Sequence, residues 1–261
     1  MTTKGIEQLA DKVTGKGFSP RSISSSTHQS LTSASSPKPV YLGFDVGNYP
    51  AAGDPLMKAW FNGTAPDDPP FYYVGFYLAP APNHSDTSWM GKRSFLQGIG
   101  YGFLIVYVGR QANNQTYAQG HTDGIQAASL ASQAGFTSGI IYLDREGGNP
   151  LTTGQLSYCQ GWADAVNGTY FKAGIYCSYL VADQINSNVS GIKRFWCVGT
   201  NNSPGCTTNI GSKQPTDCGT SLASTWQYAI SPSGTECPQT FNGYTLAVDL
   251  DMSYNQNPSA P

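Results

Sequence analysis

Eight short runs of β-branched and aromatic residues recur through the chain, and four segments with helical patterning separate the first five runs. The runs cover residues 40–47, 71–78, 103–109, 139–144, 173–180, 194–199, 224–230 and 245–252. The helical segments cover residues 55–63, 88–100, 121–135 and 152–168. Strand and helix that alternate at intervals of roughly 30 residues are typical of βαβ units in a parallel sheet. We therefore expect an α/β fold, a TIM-like (β/α)8 barrel, with an open doubly wound sheet as the alternative.

The two ends of the chain differ in character from this alternating part. Residues 19–38 are rich in Ser and Thr and have little apolar periodicity, which indicates a flexible linker. After residue 199 the sequence consists of Gly-, Pro- and Cys-rich loops without helical patterning. We predict a flexible N-terminal tail or linker over residues 1–38 and a barrel domain over residues 39–261, irregular and with few helices in its C-terminal part.

Composition narrows the class of partner. Charged residues make up only 11% of the 261 residues, while the chain contains 30 Gly and 16 Tyr. A polar, uncharged and aromatic-rich surface suits an extracellular protein that handles sugars. The net charge is −2 and Lys and Arg do not cluster, so we expect neither nucleic acid nor a membrane as partner. No apolar run reaches the roughly 18 residues of a membrane span.

Cysteine usage points to an oxidising compartment. The six cysteines are Cys159, Cys177, Cys197, Cys206, Cys218 and Cys237. None forms a C-x-x-C pair, so disulfides are favoured over a metal or redox site, with free buried thiols as the alternative. Cys206 and Cys218 lie in one Gly/Pro/Thr-rich loop and are the easiest local pair.

The expected location outside the cytoplasm is not matched by a recognisable export signal at the N-terminus. We expect a secreted, periplasmic or cell-wall-associated protein, yet residues 1–18 lack the apolar core of a secretory signal. Either a signal has been removed, or export follows a route that needs none.

Acidic residues gather where the predicted strands end. Asp45 ends the first predicted strand, Asp144 and Glu146 end the fourth, and Asp249 and Asp251 end the last, which accounts for five of the 16 acids in the chain. Barrel enzymes place their chemistry at the carboxyl ends of the strands. These acids are therefore the candidates for a functional site.

Strand alternation relates two of these acids to each other. Residues two apart share a face, so Asp144 and Glu146 point together, toward the barrel mouth if Tyr142 points inward. Their side-chain bases would lie roughly 6.5–7 Å apart. Glycosidase carboxylates lie about 5–5.5 Å apart in retaining enzymes and about 6.5–9.5 Å apart in inverting ones, so both remain open. A solvated strand end that pairs with Arg145 or with lysines is the alternative.

Four motifs in this order and spacing resemble the glycoside hydrolase family 25 lysozymes, and more closely the related glycoside-hydrolase-like domains of unknown function. They are GFDVG at residues 43–47, YLDRE at 142–146, TWQYA at 225–229 and AVDLD at 247–251. The resemblance covers residues 39–255. It departs from the lysozymes in the longer, Cys-rich stretch after Trp196 and in Asp251, where those lysozymes usually carry Asn.

The resemblance implies roles for four acids. Glu146 would be the general acid that protonates the leaving oxygen, and Asp144 would stabilise the developing charge or orient the N-acetyl group of the substrate. Asp45 and Asp249 would complete the acidic floor, although Asp45 could instead cap the following helix. A substrate-assisted route and an inverting route both remain open.

Six further residues are candidates for substrate binding. They are Trp226, Tyr228, Tyr77, Tyr107, Tyr176 and Asp251. The aromatic rings could stack on a pyranose or belong to the core. Asp249 and Asp251 could bind a cation, but no His accompanies them and we predict no metal.

Together these observations predict a glycosidase, muramidase-like, that cleaves a β-1,4 bond in peptidoglycan or a related N-acetylated polysaccharide. We expect a monomer that needs no cofactor. A catalytically inactive or altered barrel that binds cell-wall glycan is the alternative.

Overall fold

The computed structural model describes residues 38–61, 69–112, 115–230 and 237–261. Of the predicted tail over residues 1–38, residues 1–37 lie outside the described residues, so the predicted linker stays a prediction.

The described strands form a closed barrel. They are β1 (Tyr41–Asp45), β2 (Phe71–Tyr77), β3 (Gly102–Val108), β4 (Gly139–Asp144), β5 (Phe171–Ser178), β6 (Arg194–Val198), β7 (Ala223–Ala229), β8 (Cys237–Phe241) and β9 (Tyr244–Ser253). Strands β1 to β7 pair in sequence order and in parallel. Strand β9 then pairs antiparallel with both β7 and β1 and closes an eight-stranded barrel, while β8 forms a hairpin with β9 outside it.

Helices follow five of the parallel strands. They are α1 (Gly53–Trp60), α2 (Arg93–Ile99), α3 (Tyr117–Gln133), α4 (Thr153–Asn167) and α5 (Tyr179–Asn188). Helices α3 and α4 each begin with a capping box, formed by Thr116 with Gln119 and by Thr152 with Gln155. None of the helices in the described residues is long and apolar enough to cross a membrane.

The predicted barrel is confirmed, and its eight predicted strands match the observed ones to within two residues at each end. Three details differ. The run predicted as a strand over residues 173–180 ends at Ser178, which caps α5, a helix that we did not predict. Strand β8 was not predicted either, and β9 runs antiparallel where a (β/α)8 pattern predicts a parallel strand.

Side chains alternate between the inside and the outside of the barrel. A small cluster fills the inside and consists of Tyr73, Leu104, Val106, Ile140, Tyr142 and Trp196. The large cluster on the other face packs under the helices. Gly43 lets β1 pass the inner cluster, because a Cβ there would lie 2.2 Å from the Tyr73 ring. Tyr142 points into the barrel, so Asp144, two residues later on the same face of the strand, points toward the barrel mouth.

The chain after β9 covers the opposite end of the barrel. The carbonyl oxygen of Pro258 accepts hydrogen bonds from the Tyr142 hydroxyl at 2.9 Å and from Arg194 at 2.6 Å. Ser259 accepts at its backbone oxygen from the amide of Ile140 and at its hydroxyl from the amide of Ile105, both at 2.8 Å. The amino ends of the strands are therefore covered by protein, and the open end is the one with the acids.

The cysteine prediction is corrected. Cys206 pairs with Cys237 of β8, not with Cys218. Cys218 is buried and bonds with the thiol of Cys197 in the core, so the short loop distance to Cys206 does not decide its partner. The remaining cysteines are free and buried: Cys159, Cys177, Cys197 and Cys218. One disulfide forms, and the alternative of free buried thiols holds for the other four.

Candidate active site

Strand direction sets the depth of each acid in the barrel. Asp45 and Asp144 are the last residues of β1 and β4, at the mouth. Asp249 lies directly opposite Asp45 in the antiparallel pairing, and Asp251 lies opposite Gly43. The expectation that Asp249 and Asp251 end a strand is corrected, because β9 continues to Ser253 and runs inward from the mouth. Asp249 therefore lies at the mouth and Asp251 below it.

Asp45 is held by two donors. The Tyr77 hydroxyl donates to Asp45 Oδ1 at 2.6 Å, and Gln227 Nε2 donates to Asp45 Oδ2 at 2.9 Å. The same Gln227 nitrogen donates to Asp249 Oδ2 at 3.2 Å, while Gln227 Oε1 accepts from the Tyr176 hydroxyl at 2.6 Å. Donors on a carboxylate favour its charged form. Asp45 does not cap the following helix, whose N-cap is Ala52.

Asp144 shares the burial of Asp45 but differs in its hydrogen bonds. Its side chain is buried, and its Oδ1 atom has no hydrogen-bond partner within the described residues. Burial raises the pKa of Asp144 well above the usual range, the negative charges of Glu146 and Asp45 raise it further, and Arg145 lowers it less. Asp144 therefore tends to keep its proton at a pH where exposed carboxyl groups have lost theirs.

Glu146 lies two residues beyond the end of β4, with an exposed side chain. Its backbone N–H donates to Gln111 Oε1 at 3.0 Å. Neither Glu146 nor Asp144 forms an ion pair with Arg145: the ion pairs among the described residues are Lys92 with Asp54 and Arg110 with Asp123. The alternative of a strand end paired with Arg145 is thus not what the structure shows.

The four acids with predicted catalytic roles all act on the phenol of Tyr176. Burial raises the pKa of Tyr176 above its usual range, and four negative charges raise it further: those of Asp144, Asp45, Asp249 and Glu146. A charge acts on a hydroxyl in this way only at short range. The fold therefore gathers acids from three strands at the mouth, although they are about 100 residues apart in the chain.

Known proteins resemble this chain in sequence pattern and in fold. A sequence model described as "Rv2525c-like, glycoside hydrolase-like domain" matches residues 67–237. The chain belongs to this family. No protein with a curated description matches the sequence.

Solved structures share the fold of this glycoside hydrolase-like domain. An uncharacterized B. stearothermophilus protein aligns with a TM-score of 0.58 at 16% identity, over 82% of this chain and 95% of that one. GHIP, a glycosyl hydrolase 25 of Streptococcus pneumoniae, aligns with 0.57 at 10%, over 81% and 86%. SleM, a spore cortex lytic enzyme of Clostridium perfringens, aligns with 0.56 at 12%, over 82% and 67%. At these identities the likeness establishes the fold.

Asp251 forms the floor beneath the acids of this glycoside hydrolase-like barrel. It is completely buried, and Trp196 Nε1 donates to its Oδ1 atom at 2.8 Å. Burial is the main cause that raises the pKa of Asp251, followed by the charge of Asp45 and a side-chain hydrogen bond with it. Because Asp45 also accepts from Tyr77 and Gln227, we place the proton of the Asp45–Asp251 pair on Asp251.

Gly75 makes room for Asp45 in this network. A Cβ at Gly75 would lie 2.5 Å from the Cβ of Asp45 and 3.3 Å from the ring of Tyr77. Only a residue without a side chain lets β2 pass this close to the end of β1.

Two of the aromatic residues predicted to stack on a sugar lie in the core. Trp226 and Tyr228 are fully buried in the cluster outside the barrel, where they donate to the carbonyl oxygens of Gly199 at 2.7 Å and of Thr207 at 2.8 Å. The residue between them, Gln227, points inward to the acids, so alternation sends both neighbours outward. The structure does not bring these two rings to the mouth.

The tyrosines near strand ends divide in the same way. Tyr77 and Tyr176 pack against the inner cluster and bond within the acid network. Tyr107 is buried in the outer cluster and donates to Gln126 of α3 at 2.7 Å. Gln227 is the site residue that the prediction missed, although it stands at the centre of the TWQYA motif.

A metal site finds no support in this geometry. No group of three His, Cys, Asp or Glu side chains within the described part of the chain is arranged to hold a metal ion. The arrangement offers carboxyl groups, hydrogen-bond acceptors and a mouth lined by polar and aromatic side chains, which are groups capable of acid–base chemistry.

Proposed function

We propose that the chain is a glycosidase that cleaves a β-1,4 bond in peptidoglycan or a related N-acetylated cell-wall polysaccharide. One observation carries the proposal: two acids at the same barrel mouth have environments that favour opposite protonation states. Both acids are buried, but Asp144 has a raised pKa and an oxygen without a donor among the described residues, whereas two donors favour the charge on Asp45. Carboxyl groups whose protonation states are driven apart are the usual means of combining acid and base roles at one site.

Each acid has a role in this proposal that suits its surroundings. Glu146 is the general acid, because its exposed side chain can reach a leaving-group oxygen at the mouth. Asp144 binds and orients the acetamido group of the substrate, which gives its buried Oδ1 atom the partner that it lacks among the described residues. Asp45 and Asp249 hold charge on the floor, positioned through Gln227.

Two further observations support a polysaccharide partner outside the cell. The pneumococcal structure with the same fold is a glycosyl hydrolase, and the clostridial one is a spore cortex lytic enzyme. The Cys206–Cys237 disulfide suits an oxidising compartment. We therefore propose that the protein is a secreted, periplasmic or cell-wall-associated enzyme.

The test is digestion of defined peptidoglycans, with the products read by mass spectrometry. The wild-type protein should release muropeptides with new reducing ends, and Glu146→Gln should lower the rate by about 10²–10⁴-fold, the usual worth of a positioned general acid. Asp183→Asn is the matched control, because Asp183 is an exposed acid on α5. If several peptidoglycans yield no products, or if Glu146→Gln digests them as fast as wild type, the proposal fails.

A barrel that binds glycan without cleaving it is the second candidate. It is favoured by the hydrogen bonds that already occupy the acids, since Gln227 ties Asp45 to Asp249 and Tyr77 holds Asp45. Glycan binding without turnover, unchanged in Glu146→Gln, would establish this second function.

A further inference from the structure

Arg145 is a buried cation in an unusual setting. Its side chain is only 3% exposed, and its Nη1 atom donates to the Gln111 side-chain oxygen and to the backbone oxygen of Glu146. Its Nε atom is buried and has no hydrogen-bond partner among the described residues. No carboxylate in the described part of the chain lies within ion-pair distance of it.

A buried charge without a counter-charge is costly, so such groups are usually paired. The charge of Arg145 acts on Asp144, but burial raises the pKa of Asp144 and favours its neutral form. The contrast with Arg110 is instructive: that side chain is half exposed, yet it forms an ion pair with Asp123 at 2.8 Å. Arg145 has the greater need of an anion and lacks one.

Arg145 lines a cavity beside the barrel mouth. The cavity has a volume of about 490 Å³ and is bounded by Gln111, Arg145, Glu146, Asn149, Leu151 and Thr152 among others. This volume lies within the range of small-molecule pockets, so the cavity has room for a substituent of a sugar but not for a whole polysaccharide chain. Glu146 belongs to both the cavity and the acid group at the mouth, so a sugar at Glu146 could place a substituent in the cavity.

The amino end of α4 also borders this cavity. Thr152, the N-cap of this 15-residue helix, and Gln155 of its first turn are both in the wall. The amino end of a helix carries a partial positive charge that favours anions. Glu146 is the acidic residue in the wall, and its exposure to solvent weakens its repulsion of a bound anion.

We propose that this cavity, with Arg145 in its wall and the start of α4 beside it, binds a carboxylate carried by the glycan, on a sugar or on an attached peptide. The guanidinium fork matches the two oxygens of a carboxylate, and the ligand supplies the counter-charge that the fold leaves out. This inference rests on the proposed glycan substrate and specifies one of its functional groups.

Two sugars that differ by one group provide the test. N-acetylmuramic acid carries a lactyl carboxylate that N-acetylglucosamine lacks. Binding to wild-type protein, measured by titration calorimetry or ligand-observed NMR, should favour N-acetylmuramic acid by at least about tenfold, as expected for a charge-assisted hydrogen bond. Arg145→Gln should abolish this preference and leave N-acetylglucosamine binding unchanged. Lys172→Gln, which removes one positive charge at the opposite end of β4 and β5, should keep it.

A second pair of variants covers the case in which Arg145→Gln does not fold. Asn149 is exposed at the rim of the cavity, so its replacement leaves the core intact. Asn149→Asp should weaken N-acetylmuramic acid binding several-fold, and Asn149→Lys should strengthen it. Sodium acetate tests a free carboxylate and should compete only at far higher concentration.

Three results would overturn the proposal. They are equal binding of the two sugars by wild type, a preference that survives both Arg145→Gln and Asn149→Asp, and acetate that competes as well as N-acetylmuramic acid. These measurements require no turnover, so they are distinct from a failure of the proposed activity. If the carboxylate preference holds while digestion fails, the glycosidase proposal falls and the carboxylate site stands.

Discussion

Replacement of Asp251 by Asn should make the protein more stable, and by an amount that grows with pH. The folded protein keeps a proton on Asp251, because burial and the neighbouring Asp45 raise its pKa. In the unfolded chain the same carboxyl has an ordinary pKa of about 3.9. Above that pH, folding must take up one proton, so the wild type loses stability as pH rises toward the raised pKa.

The magnitude follows from proton linkage. A difference of one bound proton changes the free energy of unfolding by about 1.4 kcal/mol per pH unit. Asn cannot titrate, yet its amide can keep both contacts: its oxygen accepts from Trp196, and its NH2 group can donate to Asp45 as the carboxyl proton does. Asp144 contributes equally to both proteins and cancels. Over the pH range in which wild type keeps this proton, Asp251→Asn should therefore gain about 1.4 kcal/mol over wild type for each pH unit.

Urea unfolding at pH 5, 6 and 7, extrapolated to water, measures this difference directly. Asp183→Asn is the control, since Asp183 is exposed and its replacement should shift stability by the same small amount at each pH. A difference between Asp251→Asn and wild type that stays constant from pH 5 to pH 7 would refute the reasoning. It would mean that the Asp45–Asp251 pair holds no extra proton in the folded state.

Two further predictions concern packing and cross-linking. Gly75→Ala should displace Asp45, lower stability by about 1–3 kcal/mol and reduce any digestion activity at least tenfold. Gly98→Ala on α2 is the control and should be neutral or stabilising, because an added Cβ there meets nothing within 4 Å. Equal stability of the two variants in urea would contradict the packing argument. Cys206→Ser opens a bridge with a sequence separation of 31 and should cost about 3–4 kcal/mol. Reductant should bring wild type down to the variant, and a wild type indifferent to reductant would contradict this.

The period of the strands made the barrel and the direction of its acids predictable. The apolar runs were long enough to place the barrel strands to within two residues. Alternation predicted that Asp144 faces the barrel mouth if Tyr142 points inward, and Tyr142 is part of the inner cluster. The same rule, applied around Gln227, would have sent Trp226 and Tyr228 outward into the core. The prediction went wrong because the sequence does not show which residue of the TWQYA motif faces the site.

Other features depend on contacts that a single sequence does not display. A run such as TLAVDLDM alternates in the same way in a parallel and in an antiparallel strand, so the direction of β9 and the depth of Asp251 could not be read from it. Helix α5 follows β5 with no Gly or Pro between them, and Ser178 serves both elements. The partner of Cys206 depends on the β8–β9 hairpin, which brings Cys237 to it from a distance in the chain.

The position of β9 in the chain has a consequence for biosynthesis. Strand β1 pairs on one side with β2, but its other neighbour, β9, lies about 200 residues later. During translation the seven parallel strands can therefore assemble only as an open, curved sheet, with the free edges of β1 and β7 exposed. Until residues 244–261 leave the ribosome, the barrel of the nascent chain is not closed, and the amino ends of its strands are uncovered. Asp45 then has neither Asp249 nor Asp251 beside it. Both edges can therefore pair with other chains until β9 has been synthesised.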